Sequence, residues 1–272
     1  MKKLFMFALV AMAMSACTIG GDDDDNGGNN GGGNNGGGDT PAPSGDMRYV
    51  SSIHSVTTGE YENESFVNFS YDSNGRVVSM TNDDYVTSFA YSDGGRTVTV
   101  EFSDGDNGYV FRLNSAGAVE SVEVGSERAT ITYNNGFLDK INIPDYEEDM
   151  AMTWSGGNQT AVRHNWLDEN GAPAGVTNNV RYNSSWANNL LCNLDLNAFI
   201  FEFLDGFFSD IPAYFGLLGK RSQHMISSVT KEGGSSDGEV RESSVVYDSE
   251  GFVTKITVED DNNTRVIEVS YE

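Results

Sequence analysis

Cysteine and histidine are scarce in this sequence. Its 272 residues include two cysteines, Cys17 and Cys192, and three histidines. Two cysteines cannot form the disulfide framework on which many small secreted domains depend, so the fold is not disulfide-stapled. Few residues are available as a catalytic base, and the sequence contains no recognisable catalytic constellation, metal cluster or phosphate loop. We therefore expect a protein that is not an enzyme and that uses no cofactor.

Basic residues are also few. Lysine and arginine number 16 against 41 aspartates and glutamates, which gives a formal net charge of −25. If Lys2 and Lys3 are removed with a leader, the remaining 14 basic and 41 acidic residues give −27. Such a charge repels nucleic acid and anionic lipid head groups, which argues against both as partners. We expect a monomer.

No apolar run is long enough to span a bilayer as a helix, which takes roughly 20 residues. The N-terminal run from Leu4 to Met14 follows two lysines and precedes small residues, which indicates a signal peptide over 1–16. The next residues, Met14-Ser15-Ala16-Cys17, resemble the bacterial lipobox, although Met14 stands where leucine is usual. We expect Cys17 to become the lipidated N-terminus. The alternative is a soluble secreted protein with an incidental cysteine.

Residues 17–46 contain almost no apolar side chains and cannot form a core. We predict a disordered, acidic Gly/Asn linker with a reach on the order of 30 Å. The run from Asp22 to Asp25 resembles the acidic export signal of surface lipoproteins in Gram-negative gut anaerobes. The expected location is the outer membrane, lipid-anchored and displayed outside, with the periplasmic face as the alternative.

One pattern recurs in the rest of the chain, beginning with "FSYDSNGRVVSM" at 69–80. An apolar-x-aromatic strand end leads into Asp, Asn or Ser, the turn ends in glycine, and a second strand follows. Asx side chains hydrogen-bond their own turn and glycine supplies a positive φ, so each copy predicts a hairpin rather than a catalytic site. Further copies lie at 89–100, 111–122, 131–141 and 245–256.

Apolar and polar residues alternate along these strands, as in Val67, Phe69 and Tyr71. A period of two indicates antiparallel strands with one buried face. Residues 47–272 contain about fifteen such segments, and accumulated twist prevents so large a sheet from staying flat. We predict a single all-β domain, either a large up-and-down antiparallel barrel or a strongly curled half-barrel.

Residues 187–219 break the alternation because large apolar residues crowd together there. "SDIPAYFGLLGK" predicts a short helix capped by Ser209 or Asp210 and ended by Gly219. The segment is either a plug that fills the core or a lid over a cavity. Its candidate ligand-binding residues are Phe199, Phe203 and Phe207.

Four aromatic residues of the middle third form a second candidate site: Trp154, Trp166, Tyr182 and Trp186. Asparagines accompany them, and aromatic faces with amides suit carbohydrate surfaces, although such residues are also common in barrel cores. Two weaker motifs match a catalytic site and a metal site in part, but a hairpin turn explains each of them better. Ser236 in "GSSDG" matches a nucleophile motif, and Asp104 and Asp106 resemble part of a calcium loop.

The motif Tyr71 to Arg76 resembles the Tyr-Asp repeats of bacterial surface and toxin-shell proteins. The stretch "YFGLLGKRSQHMISSVT" followed by "VVYDSEGFVTKITV" is similar to a family of lipoproteins of unknown function with a porin-like fold. This resemblance implies a wide β-barrel and no assigned activity or ligand. We expect a non-enzymatic binding or scaffold module. The alternative is a carrier for an apolar or glycan ligand between the sheet and 187–219, and a hydrolase or a pore is less favoured.

Overall fold

A computed structural model describes residues 47–82, 85–103, 105, 108–168, 170–187, 192–200, 217–234 and 237–272. The expected signal peptide, Cys17 and the linker therefore lie outside the described residues. Sixteen strands make up the fold. They are β1 (Val50–Gly59), β2 (Asn63–Tyr71), β3 (Val77–Thr81), β4 (Val86–Ser92), β5 (Thr97–Phe102), β6 (Tyr109–Leu113), β7 (Val119–Val124), β8 (Glu127–Asn134), β9 (Phe137–Ile143), β10 (Glu148–Ser155), β11 (Asn158–Leu167), β12 (Pro173–Ala187), β13 (His224–Glu232), β14 (Val240–Tyr247), β15 (Val253–Glu259) and β16 (Asn263–Tyr271). The described residues also include three short 3-10 turns, at Asp93–Gly95, Pro144–Tyr146 and Leu196–Phe199.

The strands form one closed antiparallel barrel in chain order. The first and last strands close it, with Ile53 opposite Val269 and Thr57 opposite Arg265. This pairing confirms the predicted large barrel, with sixteen strands where the pattern indicated about fifteen, and it rules out the half-barrel. Closure leaves no strand edge unpaired, which removes the aggregation hazard of a wide open sheet.

The first copy of the repeated motif, at 69–80, is a hairpin, as predicted, because β2 and β3 pair on either side of residues 72–76. Asp72 Oδ1 accepts the backbone N–H groups of Asn74 and Arg76, and Gly75 has a φ of 72°. The same two Asx bonds recur in the turns that begin at Asn114, Asp168 and Asp248. The aspartate and glycine of the motif therefore shape the turn.

The aromatic residue of the motif joins neighbouring strands. The Tyr71 hydroxyl at the end of β2 donates to the carbonyl of Val50 at the start of β1, at 2.5 Å. Equivalent bonds link the ends of β4, β8, β10 and β16 to the preceding strands, from Tyr91 to Val77, Tyr133 to Val119, Trp154 to Leu138 and Tyr271 to Val253. Each part-buried polar tip thus donates to a backbone carbonyl, as tyrosine and tryptophan side chains usually require when they are removed from water.

These aromatic residues mark one end of the barrel, which we call the near rim. It comprises the turns at 72–76, 93–96, 114–118, 135–136, 156–157 and 248–252, together with the described parts of the connection 188–223 between β12 and β13. The opposite end, the distal rim, comprises the described residues of the turns at 60–62, 82–85, 103–108, 125–126, 144–147, 168–172, 233–239 and 260–262.

The apolar side chains of the strands point into the barrel. In β8, Ala129 and Ile131 are buried while Thr130 and Thr132 are exposed. The same alternation in β4 buries Phe89. The inner face therefore forms the hydrophobic core and the outer face is largely polar.

The first described part of the connection 188–223, residues 192–200, packs in this core. Cys192, Leu194, Leu196, Phe199 and Ile200 are each at most 2% exposed. Their backbone is held by the 3-10 turn at Leu196–Phe199, by a bridge between Cys192 and Arg48, and by bonds from side chains. The Arg221 guanidinium, for example, donates to the carbonyls of residues 192, 193 and 194 at 2.8–3.1 Å.

The sequence predicted a short helix that ends at Gly219, but the described residues 217–219 are not helical. The carbonyl of Leu217 accepts the backbone N–H of Val119, and Gly219 forms a bridge with Phe137. These bonds use backbone groups that a helix would need for itself. The rest of the predicted helix lies outside the described residues, and so do Phe203 and Phe207.

Candidate binding site

The predicted aromatic site is divided by the fold. Trp154 and Tyr182 lie together on the inner face at the near rim. The Trp154 indole packs 4.7 Å from the Phe137 ring, and the Tyr182 hydroxyl lies 2.9 Å from Ser222 Oγ. Burial raises the pKa of Tyr182 above its ordinary value. Both side chains are thus held by neighbours rather than presented to solvent.

The other described aromatics of the prediction lie elsewhere. Trp186 is half-buried against the core and Phe199 is 2% exposed. Trp166 lies near the distal end of β11, with its ring 4.9 Å from His164. The four aromatic residues of the predicted site, Trp154, Trp166, Tyr182 and Trp186, therefore do not form one binding surface.

A cavity of about 30 Å³ lies between Trp154, Tyr182 and the connection 188–223. Its volume matches that of one water molecule and is far below that of a sugar or an apolar carrier ligand. Gln159 lines this cavity at 5% exposure, and its Nε2 has no hydrogen-bond partner among the described residues. The cavity suits a buried water better than the predicted carrier ligand.

A larger cleft of about 400 Å³ lies on the barrel's outer face. Arg163 of β11, Thr177 of β12 and Glu232 of β13 form one cross-strand row along it. In the next row, Gly175 pairs with Asn165 and leaves a depression because it has no side chain. A Cβ at residue 175 would lie 2.8 Å from the His164 carbonyl oxygen, so the floor requires glycine.

A hydrogen-bonded chain orders one wall of the cleft. Arg163 Nε donates to Asn165 Oδ1 at 2.8 Å, and Asn165 Nδ2 donates to Asp149 Oδ1 at 2.7 Å. Lys140 Nζ completes the chain at 2.8 Å from Asp149 Oδ2. Lys140 and Asn165 together hold the pKa of the Asp149 carboxyl below its usual value. The carboxylate stays charged and fixes the orientation of the Asn165 amide.

The opposite wall carries Glu232, whose Oε2 accepts a bond from Asn179 Nδ2 at 3.2 Å. Within the described part of the chain, the Arg163 Nη groups, the Thr177 hydroxyl and Glu232 Oε1 make no side-chain hydrogen bond. The cleft therefore presents donors on one side and an acceptor on the other.

The distal rim, where this cleft lies, also carries most of the exposed apolar side chains. Six of the eight large exposed hydrophobic residues in the described chain lie in its turns or next to them: Tyr61, Tyr85, Val86, Tyr146, Leu167 and Val240. The chain enters the barrel at the near rim, where Arg48 bridges to Cys192 and forms an ion pair with Asp248 at 3.2 Å.

The weaker sequence motifs and the histidines are the remaining candidates for chemistry. Ser236, Asp104 and Asp106 lie outside the described residues. His54 contacts Glu64 at 2.8 Å and Glu268 at 3.6 Å, while His164 contacts Glu148 at 3.4 Å. Among the side chains that the structure places, no group of three or more histidine, cysteine or acidic residues could hold a metal ion. No helix in the described ranges is long and apolar enough to span a bilayer.

Two crystal structures are similar to this barrel. A porin-like protein from Bacteroides vulgatus ATCC 8482 aligns with a TM-score of 0.61 and 18% identity, over 83% of this chain and 99% of that chain. A porin-like protein from Bacteroides uniformis ATCC 8492 aligns at 0.57 and 16%, over 82% and 100%. The barrel is porin-like in fold. No family model and no curated protein matches the chain. The porin-like prediction is thereby supported, while the lipoprotein family and the Tyr-Asp repeats stay predictions.

Proposed function

We propose that the protein is a lipoprotein, anchored to the outer membrane through Cys17, whose barrel stands in water as a non-enzymatic binding or scaffold module. The observation that carries this proposal is the direction of the strand alternation. A membrane-spanning barrel turns its apolar residues outward toward lipid and its polar residues inward. This barrel has the opposite arrangement.

The outer face supports the proposal strand by strand. Thr130 and Thr132 point outward from β8, and Glu268 and Ser270 point outward from β16, all of them exposed. A charged side chain on the lipid face of a barrel costs about 2–4 kcal/mol at the bilayer midplane for arginine or lysine, and less for acidic residues. An exterior with many charged and hydroxyl groups is therefore suited to water.

The inner face supports the same conclusion. Val100, Val122 and Ile141 of the strands have no measurable exposure, and Leu196 of the connection 188–223 packs in the same core. A pore needs a hydrated lumen lined by polar groups. A packed apolar interior instead provides a stable scaffold that displays loops and outer surfaces to a partner.

The anchor gives the barrel an orientation. Because the chain enters at the near rim, a linker reaching on the order of 30 Å would leave the distal rim free to face away from the membrane. That rim carries the exposed tyrosines and lies beside the outer cleft. Surfaces of this kind contact partners, and the cleft's donors and acceptors suit binding rather than covalent chemistry.

Lipid anchoring is tested by fractionating cells that produce the full chain or its Cys17→Ser variant. We expect the unmodified chain in the outer-membrane fraction and the variant in the soluble fraction. Inhibiting lipoprotein signal peptidase with globomycin should block maturation of the unmodified chain. Cys192→Ser is the matched control and should stay with the membrane. A Cys17→Ser variant that remains in the outer membrane would contradict the proposal.

A further inference from the structure

We propose that the outer cleft between β11, β12 and β13 binds a neutral saccharide. This inference rests on the proposed binding function and adds the ligand class and the site. The starting observation is the row of Arg163, Thr177 and Glu232 across three adjacent strands. Strands lie about 4.8 Å apart, so the backbones of Arg163 and Glu232 are separated by about 10 Å across β12.

The groups in the cleft match the chemistry of sugar hydroxyls. A hydroxyl both donates and accepts hydrogen bonds, and neighbouring hydroxyls on a pyranose can satisfy a donor and an acceptor at once. The Arg163 guanidinium supplies donors, Glu232 Oε1 supplies an acceptor, and the Thr177 hydroxyl between them can act as either. The volume of about 400 Å³ falls within the usual range for small-molecule sites.

The charge distribution favours a ligand without net charge. A protein with a formal net charge of −25 repels anions at long range. Within the cleft, Arg163 and Glu232 place one positive and one negative group on opposite walls, so the site itself carries no net charge for a cation or an anion to pair with. Among the described residues, the lining has no aromatic or large aliphatic side chain, since its apolar members are Pro173 and Ala174, so an apolar ligand would lack walls to pack against. A neutral polar molecule remains.

The cleft is organised before a ligand arrives. The Asp149 carboxylate fixes the Asn165 amide, and that amide oxygen accepts a hydrogen bond from Arg163 Nε. The floor is backbone at Gly175, where no Cβ can be accommodated, and Gly233 closes the depression beside it. Preorganised groups lose less conformational entropy on binding, which favours affinity.

The test uses the full chain in mild detergent on an array of neutral, uronate-containing and amine-containing oligosaccharides. We expect binding to a neutral subset, followed by calorimetry with the best neutral oligosaccharide. Arg163→Ala removes the donors and Thr177→Trp fills the cleft, and each should weaken binding at least tenfold. The matched controls are Arg112→Ala, at another outward arginine paired with Glu123 at 3.4 Å, and Thr130→Trp, at an exposed threonine of β8 outside the cleft. Both should bind normally.

Three results would overturn the inference. These are binding confined to charged oligosaccharides, neutral binding that survives both cleft variants, and no binding to any oligosaccharide on the array. None of them affects the lipid anchoring of the proposed function, because the Cys17→Ser fractionation is scored independently. The circular dichroism of the Thr177→Trp variant shows whether it is folded. A loss of binding by a folded variant can then be distinguished from unfolding.

Discussion

The amide oxygen of Asn193 accepts the backbone N–H of Val50 at 2.9 Å, although the two residues are 143 positions apart in the chain. Val50 begins the first strand, so its N–H would otherwise point into the core without a partner. Asn193 also donates to the Tyr71 hydroxyl at 2.9 Å, and Tyr71 in turn donates to the Val50 carbonyl. The connection 188–223 thus completes the hydrogen bonding of the barrel's first strand.

Asn193→Ala should destabilise the barrel because it leaves the buried N–H of Val50 unsatisfied. The expected cost is about 1–3 kcal/mol, as for other buried donors that lose their partner. Urea unfolding followed by circular dichroism measures it. Asn134→Ala, at an exposed strand end, is the control and should change stability by less than about 0.5 kcal/mol. Equal effects at the two positions would show that the Asn193 bonds contribute nothing.

Phe199→Ala should be more costly, at about 3–5 kcal/mol, because the ring is 2% exposed and its loss leaves a cavity. The Arg265 guanidinium donates to the Phe199 carbonyl, which places this residue inside the barrel. Phe66→Ala, on the outer face at 40% exposure, should cost much less. A small effect at Phe199 would contradict the plug that fills the core and would favour the alternative, a lid that opens.

The Cys192 thiol should resist alkylation in the native protein and react rapidly in urea. It has no exposed surface, and burial raises its pKa to about 11, so little reactive thiolate forms at neutral pH. A maleimide time course on the Cys17→Ser variant measures this thiol alone. Labelling within minutes without denaturant would show that the connection 188–223 opens readily.

The barrel should lose stability as the pH rises above about 10, the ordinary pKa of tyrosine. Burial raises the pKa of Tyr71, Tyr91, Tyr133, Tyr182 and Tyr247. The folded state therefore holds these protons more tightly than the unfolded state, and its advantage is complete below pH 10 and declines above it. Urea midpoints across this range measure the effect. Tyr133→Phe should reduce the slope, and a flat profile would contradict the assignment.

The turn residues and the apolar alternation along the strands made much of this fold predictable from the sequence. The Asp72 and Gly75 turn, repeated with the alternation of Phe69 and Tyr71, is sufficient to predict hairpins, one buried face and a sheet large enough to close. The outer cleft was not predicted, because it depends on the register between β12 and β13, which the long connection 188–223 does not specify. Gly175 inside a strand was the available signal, since such a glycine often marks a close backbone approach.

We propose that the barrel is filled by its own apolar side chains and faces water. The most direct test is analytical ultracentrifugation of the Cys17→Ser full chain, with and without detergent, to measure the mass of detergent bound. A membrane-spanning barrel carries a belt of detergent around its apolar exterior and aggregates when the detergent is removed. We predict a soluble monomer that binds no such belt. A detergent belt, with aggregation in its absence, would contradict the claim and favour a pore.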